Sequence, residues 1–99
     1  MPLELFVSRR AEREIERVAH WWAVNRPAAP GAIRQDLRAA LNLLVVQPDI
    51  GVRVNEASSP DVRRLHLDRI RYWIYYRVRR NRLEVLSVWH SSRGRGPAV

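Results

Sequence analysis

Ninety-nine residues, 46% of them hydrophobic, are the size of one domain that can bury a single core without staples. Cysteine is absent, which excludes disulfides, thiolate metal sites and a cysteine nucleophile; every Lys/Arg position is arginine, whose guanidinium, with a pKa above about 12, cannot act as a general base. The net charge of +8 is uneven, with seven arginines against six acids in residues 1–50 and eleven against four in residues 51–99, so the second half presents a field that draws polyanions or acidic protein segments.

The opening "MPLELFVSRR" has too short an apolar run and the wrong charge order for a signal peptide. The longest uncharged stretch, Ala39 to Pro48, is far below the ~20 residues of a membrane helix. No membrane span and a cytoplasmic location are expected. Leu3 to Val7 predicts a strand, with Ser8 placed as the N-cap of a helix. Along that helix Ala11, Ile15, Val18 and Trp22 form one apolar stripe, and Arg10–Glu14 and Glu14–Arg17 read as surface pairs. Trp21 projects sideways from the stripe, as a partner-anchoring tryptophan would. Asn25 to Gly31, with two prolines and a glycine, turns the chain back.

A second helix is predicted from near Pro30, with Ile33, Leu37, Ala40, Leu41 and Leu44 inward, ending before Pro48. Val62 to Leu67 reads as a strand. Ile70 to Arg79 alternates almost perfectly, with Ile70, Tyr72, Ile74, Tyr76 and Val78 against Arg71, Trp73, Tyr75, Arg77 and Arg79. A turn at Asn81 leads into Leu83 to Trp89, apolar enough for an interior strand. The tail, Ser91 to Val99, has no core residues and reads as mobile. The order predicts one α+β domain over residues 1–99: an N-terminal strand, then a helical hairpin on one face of a three-stranded antiparallel sheet whose other face is uncovered.

Acid–base chemistry is left to His, Tyr, Asp and Glu. His90 has the titration range of a general acid or base; it equally suits a strand cap bonded to backbone. His20, His66 and His90 are too scattered for a metal site, and no cofactor is expected. Arg63, Arg64, Arg71, Arg77, Arg79, Arg80 and Arg82, with Trp73 and Tyr75 between them, read as a phosphate clasp with stacking platforms. They read equally as an open sheet's defence against edge pairing.

"SRRAEREIERVAHW", "LNLLVVQPDIG", "VRRLHL", "YYRV" and "VLSVWHSSR", in that order and spacing, resemble the RelE/ParE superfamily of bacterial type II toxins, most closely its ParE branch. The resemblance implies a two-layer RelE/ParE-like fold and a small cytoplasmic toxin encoded in one operon with an antitoxin. That ParD-like partner would wrap it in a hetero-oligomeric complex. It also implies DNA gyrase as target and no enzymatic activity. The alternative within the superfamily is a RelE-like, ribosome-dependent mRNA endonuclease, for which His90, Arg64, Arg77, Tyr76 and Arg93 would be the catalytic set; the absence of lysine departs from that pattern. An acidic antitoxin segment is expected at Trp21, Arg64, Arg71 and Arg77, with Arg93 and Arg95 left for the target.

Overall fold

In the computed structural model, which describes residues 2–99, the chain runs β1 (Glu4–Val7), α1 (Arg9–Asn25), α2 (Ala32–Leu44), a 3-10 turn (Pro48–Ile50), β2 (Val52–Arg53), β3 (Arg63–Leu67), β4 (Tyr72–Arg79) and β5 (Arg82–His90). Ser8 starts α1: its backbone is extended and its Oγ accepts from the Ala11 N–H at 3.1 Å, satisfying one of the donors a helix start leaves unpaired. Ala11, Ile15, Val18 and Trp22 face the core together. α2 begins at Ala32, two residues past Pro30, after the turn is closed by Ala29 N–H to Arg26 O and Ala32 N–H to Ala29 O. It buries Ala32, Ile33, Leu37, Ala40 and Leu44. No helix of the described residues is long and apolar enough to cross a membrane.

Both helices cover one face of a mixed sheet of order β1-β5-β4-β3-β2. The two-layer α+β class is as the element order predicts, but the sheet has five strands rather than three. β1 joins parallel to β5, Glu4 opposite Arg82 through Val7 opposite Val85; β2 adds a two-residue antiparallel edge to β3. Neither pairing announces itself in sequence, because a parallel partner needs no turn and two residues have no period.

Alternation along the strands is also interrupted. Tyr75 pairs with Ser87 while Tyr76 pairs with Val85, so Leu86 is the extra residue of a bulge. Tyr76 packs in the core below the helices. Tyr75, on the other face, is only 2% exposed, because the tail lies over it. A Cβ on Gly96 would sit 3.1 Å from the Tyr75 hydroxyl. The tail is therefore held rather than loose: Trp89 Nε1–H donates to Arg95 O at 2.7 Å, Ser59 N–H to Val99 O at 3.1 Å, and the Arg10 guanidinium to Ala98 O. Its anchors are backbone carbonyls, which composition does not show.

β1 stops at Val7, so β5 has no strand neighbour on that side beyond Val85. α1 fills the place. Ser8 Oγ–H donates to Leu86 O at 3.3 Å, and Glu14 Oε1 accepts from the Val88 N–H at 3.1 Å and the Ser87 hydroxyl at 2.9 Å. A side chain thus closes a strand edge that would otherwise stand open.

The 3-10 turn is fastened to the sheet by Tyr76, whose hydroxyl donates to Pro48 O at 2.7 Å and accepts from the Gly51 N–H at 2.9 Å. Gly51 is needed there: an added Cβ would lie 2.8 Å from Tyr76 Cε1 and 2.9 Å from Arg64 O. Tyr76→Phe leaves both backbone groups without their partner, a loss of about 1–3 kcal/mol and a fall in Tm of at least about 4 °C. Thermal unfolding of the variant measures it, and an unchanged Tm would show that the clamp contributes nothing.

Candidate functional site

α1 runs along β5, so its last turns arrive where that strand ends. There His90 pairs across the ladder with Tyr72, and the two rings meet edge-on at 4.8 Å. Trp21 and Trp22 complete the wall. The result is an open groove of about 400 Å³ between the end of α1 and the β3–β4 turn, with Trp21, Tyr72, His90, Arg26 and Arg71 among its lining residues. Trp21 is 47% exposed, edge-on to Trp22 at 6.3 Å and with the Arg26 guanidinium 5.6 Å from its ring. The turn is fixed at both sides. Arg69 forms two bonds to Asp36 of α2, at 3.0 and 2.6 Å, and the Arg71 carbonyl accepts from both the N–H and the hydroxyl of Ser91 at 2.9 Å.

His90 is tied to the backbone. Its Nδ1 accepts from the Ser92 N–H at 3.1 Å and also meets the Ser92 hydroxyl. A neutral imidazole whose Nδ1 accepts carries its hydrogen on Nε2, so the outward nitrogen is a hydrogen-bond donor.

On the face away from the helices, His66, Trp73 and Trp89 are successive cross-strand partners. Guanidinium groups lie on the two indoles: Arg64 is 4.0 Å from the Trp73 ring and Arg93 4.0 Å from the Trp89 ring. Such stacking leaves the planar donors free at the rim, and Arg64 uses one on the Tyr75 hydroxyl at 3.2 Å. Beside this row is a hollow of about 390 Å³ bordered by Arg64, Trp73, Trp89, His90, Arg93 and Arg95.

The residues named for a nuclease therefore separate. His90, Arg64 and Arg93 border one hollow, but Tyr76 and Arg77 do not. Tyr76 is 0% exposed in the core, its hydroxyl committed to Pro48 and Gly51, and burial pushes its pKa up. Arg77 is held by Glu84, Nε to Oε1 at 2.7 Å. Of the residues named for the antitoxin, Trp21 and Arg71 share the groove, while Arg64 and Arg77 lie on the open face. Arg93 and Arg95, named for the target, both border the hollow.

Two acids matter more than sequence reading gave them. Glu14 closes the β5 edge. Glu84, 6% exposed, accepts from Arg77 and, through Oε2 at 3.0 Å, from Arg82. A lone glutamate in the apolar run "LEVLSVW", across from an arginine-rich strand, was the signal available for the second. The site as a whole offers aromatic faces and charge-assisted donors, which is binding chemistry.

A family profile described as ParE toxin of type II toxin-antitoxin system, parDE, matches residues 5–94. Ten chains of solved structures match. One, titled "Chromosomal ParDE TA system from P. aeruginosa", superposes with a TM-score of 0.71 at 21% identity, covering 89% of this chain and 95% of that one; at that identity the likeness is one of fold. No curated protein matches.

The Glu84 carboxyl is held below its ordinary value of 4.5, first by the hydrogen bond from Arg77, with burial opposing and Arg82 assisting. A lowered folded-state pKa gives stability that is complete above the unfolded value and is lost as pH falls through the folded one. Urea unfolding should show Glu84→Gln less stable than wild type at neutral pH, with the gap steady down to about pH 5 and closing below 4.5. A gap that is the same at every pH would mean that the ionised carboxylate is not what matters.

Proposed function

Since the chain belongs to the ParE toxin family of type II toxin-antitoxin systems, we propose that it disables DNA gyrase by binding it, and that a ParD-like antitoxin encoded beside it holds it in check. The observation that carries the binding reading is the hydrogen bonding of His90 to Ser92. Cutting RNA through a ribose hydroxyl requires a group that can remove a proton within hydrogen-bond reach. The Nδ1 of His90 is taken by Ser92, and the Tyr76 hydroxyl is engaged in the core. What remains at the surface, indoles and guanidinium groups, supports recognition of a partner. The runner-up reading is the ribosome-dependent mRNA endonuclease, favoured only by the hollow that Arg64, His90 and Arg93 share.

Purified protein is expected to inhibit supercoiling by gyrase or to accumulate cleaved DNA, to leave mRNA intact in a translation extract, and to keep most of that inhibition as His90→Gln. Codon-positioned mRNA cuts with gyrase unaffected would replace this reading with the endonuclease.

The exposed Trp21 and the cations beside it support an antitoxin contact at the groove between α1 and the β3–β4 turn. An acidic amphipathic segment there covers Trp21 and meets Arg26 and Arg71, and its continuation along the open face meets Arg64. An exposed tryptophan with cations around it is the usual form of an interface anchor. Trp21→Ala is expected to cost about 2 kcal/mol, roughly a 30-fold rise in the Kd for the antitoxin. Association should also slow as salt rises, because a basic face steers over only about 10 Å at 0.1 M. Titration of the two purified partners checks both; a Kd unaltered by Trp21→Ala would move the contact elsewhere.

A further inference from the structure

The end of the sheet opposite His90 holds a second concentration of charge. Arg77, Arg79, Arg80 and Arg82 fall within six residues around the two-residue turn Arg80–Asn81. Two are held: Glu84 accepts from Arg77 and Arg82, and the Arg82 guanidinium lies 4.6 Å from the Phe6 ring. Arg79 and Arg80 are exposed, and the ion pairs among the described residues include neither.

Two features of this tip oppose folding. Arg79 and Arg82 are direct cross-strand partners, and like charges set opposite each other destabilise a ladder. Arg80 has a φ of 55°, a left-handed conformation that glycine or asparagine adopts at less cost. An anion bound between the guanidinium groups removes the first of these costs. The open hollow there, about 490 Å³ and bordered by Glu4, Arg79, Arg80, Asn81, Arg82 and Glu84, has room for one.

We infer that the β4–β5 tip is a contact for the phosphodiester backbone of duplex DNA, with Arg79 and Arg80 reaching phosphates and Glu84 orienting Arg77 and Arg82 beside them. A protein partner would need an apolar centre, and the aromatic ring at the tip, Phe6, already carries Arg82. An unpaired strand would need aromatic faces for its bases, and the indole row lies toward the other end of β4 and β5. Phosphates need only fixed cations, and such contacts position a protein on DNA without reading its sequence. The inference does not depend on gyrase, since DNA alone tests it.

The experiment is fluorescence anisotropy of a labelled duplex against salt. The slope of log K on log salt is about −0.9 per phosphate neutralised, so R79S/R80S should make it shallower by about 2, with a Tm no lower than wild type. A matched pair of exposed arginines on α2, R34S/R38S, should change the slope by less than about 0.5. Equal changes from both pairs would mean that the chain's overall charge alone attracts DNA, and an unchanged slope in R79S/R80S would remove the tip from the contact. Poly-glutamate is the third probe: if R79S/R80S weakens it as much as the duplex, the tip is a dock for acidic peptide and the DNA assignment fails.

Discussion

The placement of α1 against the sheet depends on one carboxylate. β1 runs out at Val7, while β5 continues to His90, and a strand edge left bare there would leave the Val88 N–H to water or to another chain. Glu14 takes that N–H and the Ser87 hydroxyl, and Arg10 steadies its second oxygen at 3.5 Å. With the middle of the helix fixed in this way, its last turns deliver Trp21 and Trp22 to Tyr72 and His90. The groove at that end of the molecule is a by-product of protecting an edge.

Guanidinium groups perform two tasks at once across this surface. Arg64 lies on Trp73 while donating to Tyr75, and Arg82 lies on Phe6 while donating to Glu84. A flat, delocalised cation can stack and donate in its own plane together, whereas an ammonium is a hydrated point charge that cannot. Whatever set the composition, lysine would not replace these arginines without losing one of the two contacts.

Most of the fold was legible where its signals are local. The apolar stripe of α1, the cap at Ser8, the inward residues of α2 and the β3–β4–β5 meander all follow from short periods and turn residues. What escaped was non-local. Leu3 to Val7 reads as a strand, but nothing in those residues names β5 as its parallel partner. Glu14 sits where any surface i, i+4 pair would. The bulge at Leu86 is hidden because β4 alternates and the middle of β5 is mostly apolar, so neither strand shows the slip. The tail is held through carbonyl groups that every residue possesses. The site was legible as a list of residue types, including His90, Arg64 and Arg93. Its division into a groove, an open face and a tip required the register, since alternation separates Tyr76 from Arg77 but does not set His90 against Tyr72.

The pairing of β1 with β5 also sets a timetable. Residues 4–7 are synthesised well before residues 82–90, and β1 has no other partner in the sheet. Glu14 likewise waits for Ser87 and Val88. Until β5 leaves the ribosome, the nascent chain can form its helices and the turn between them, but α1 has no strand to lie against and the groove has neither His90 nor a fixed Trp21. Contacts so far apart in the chain form late and slowly. The groove therefore cannot form before β5 has been made, however early α1 does.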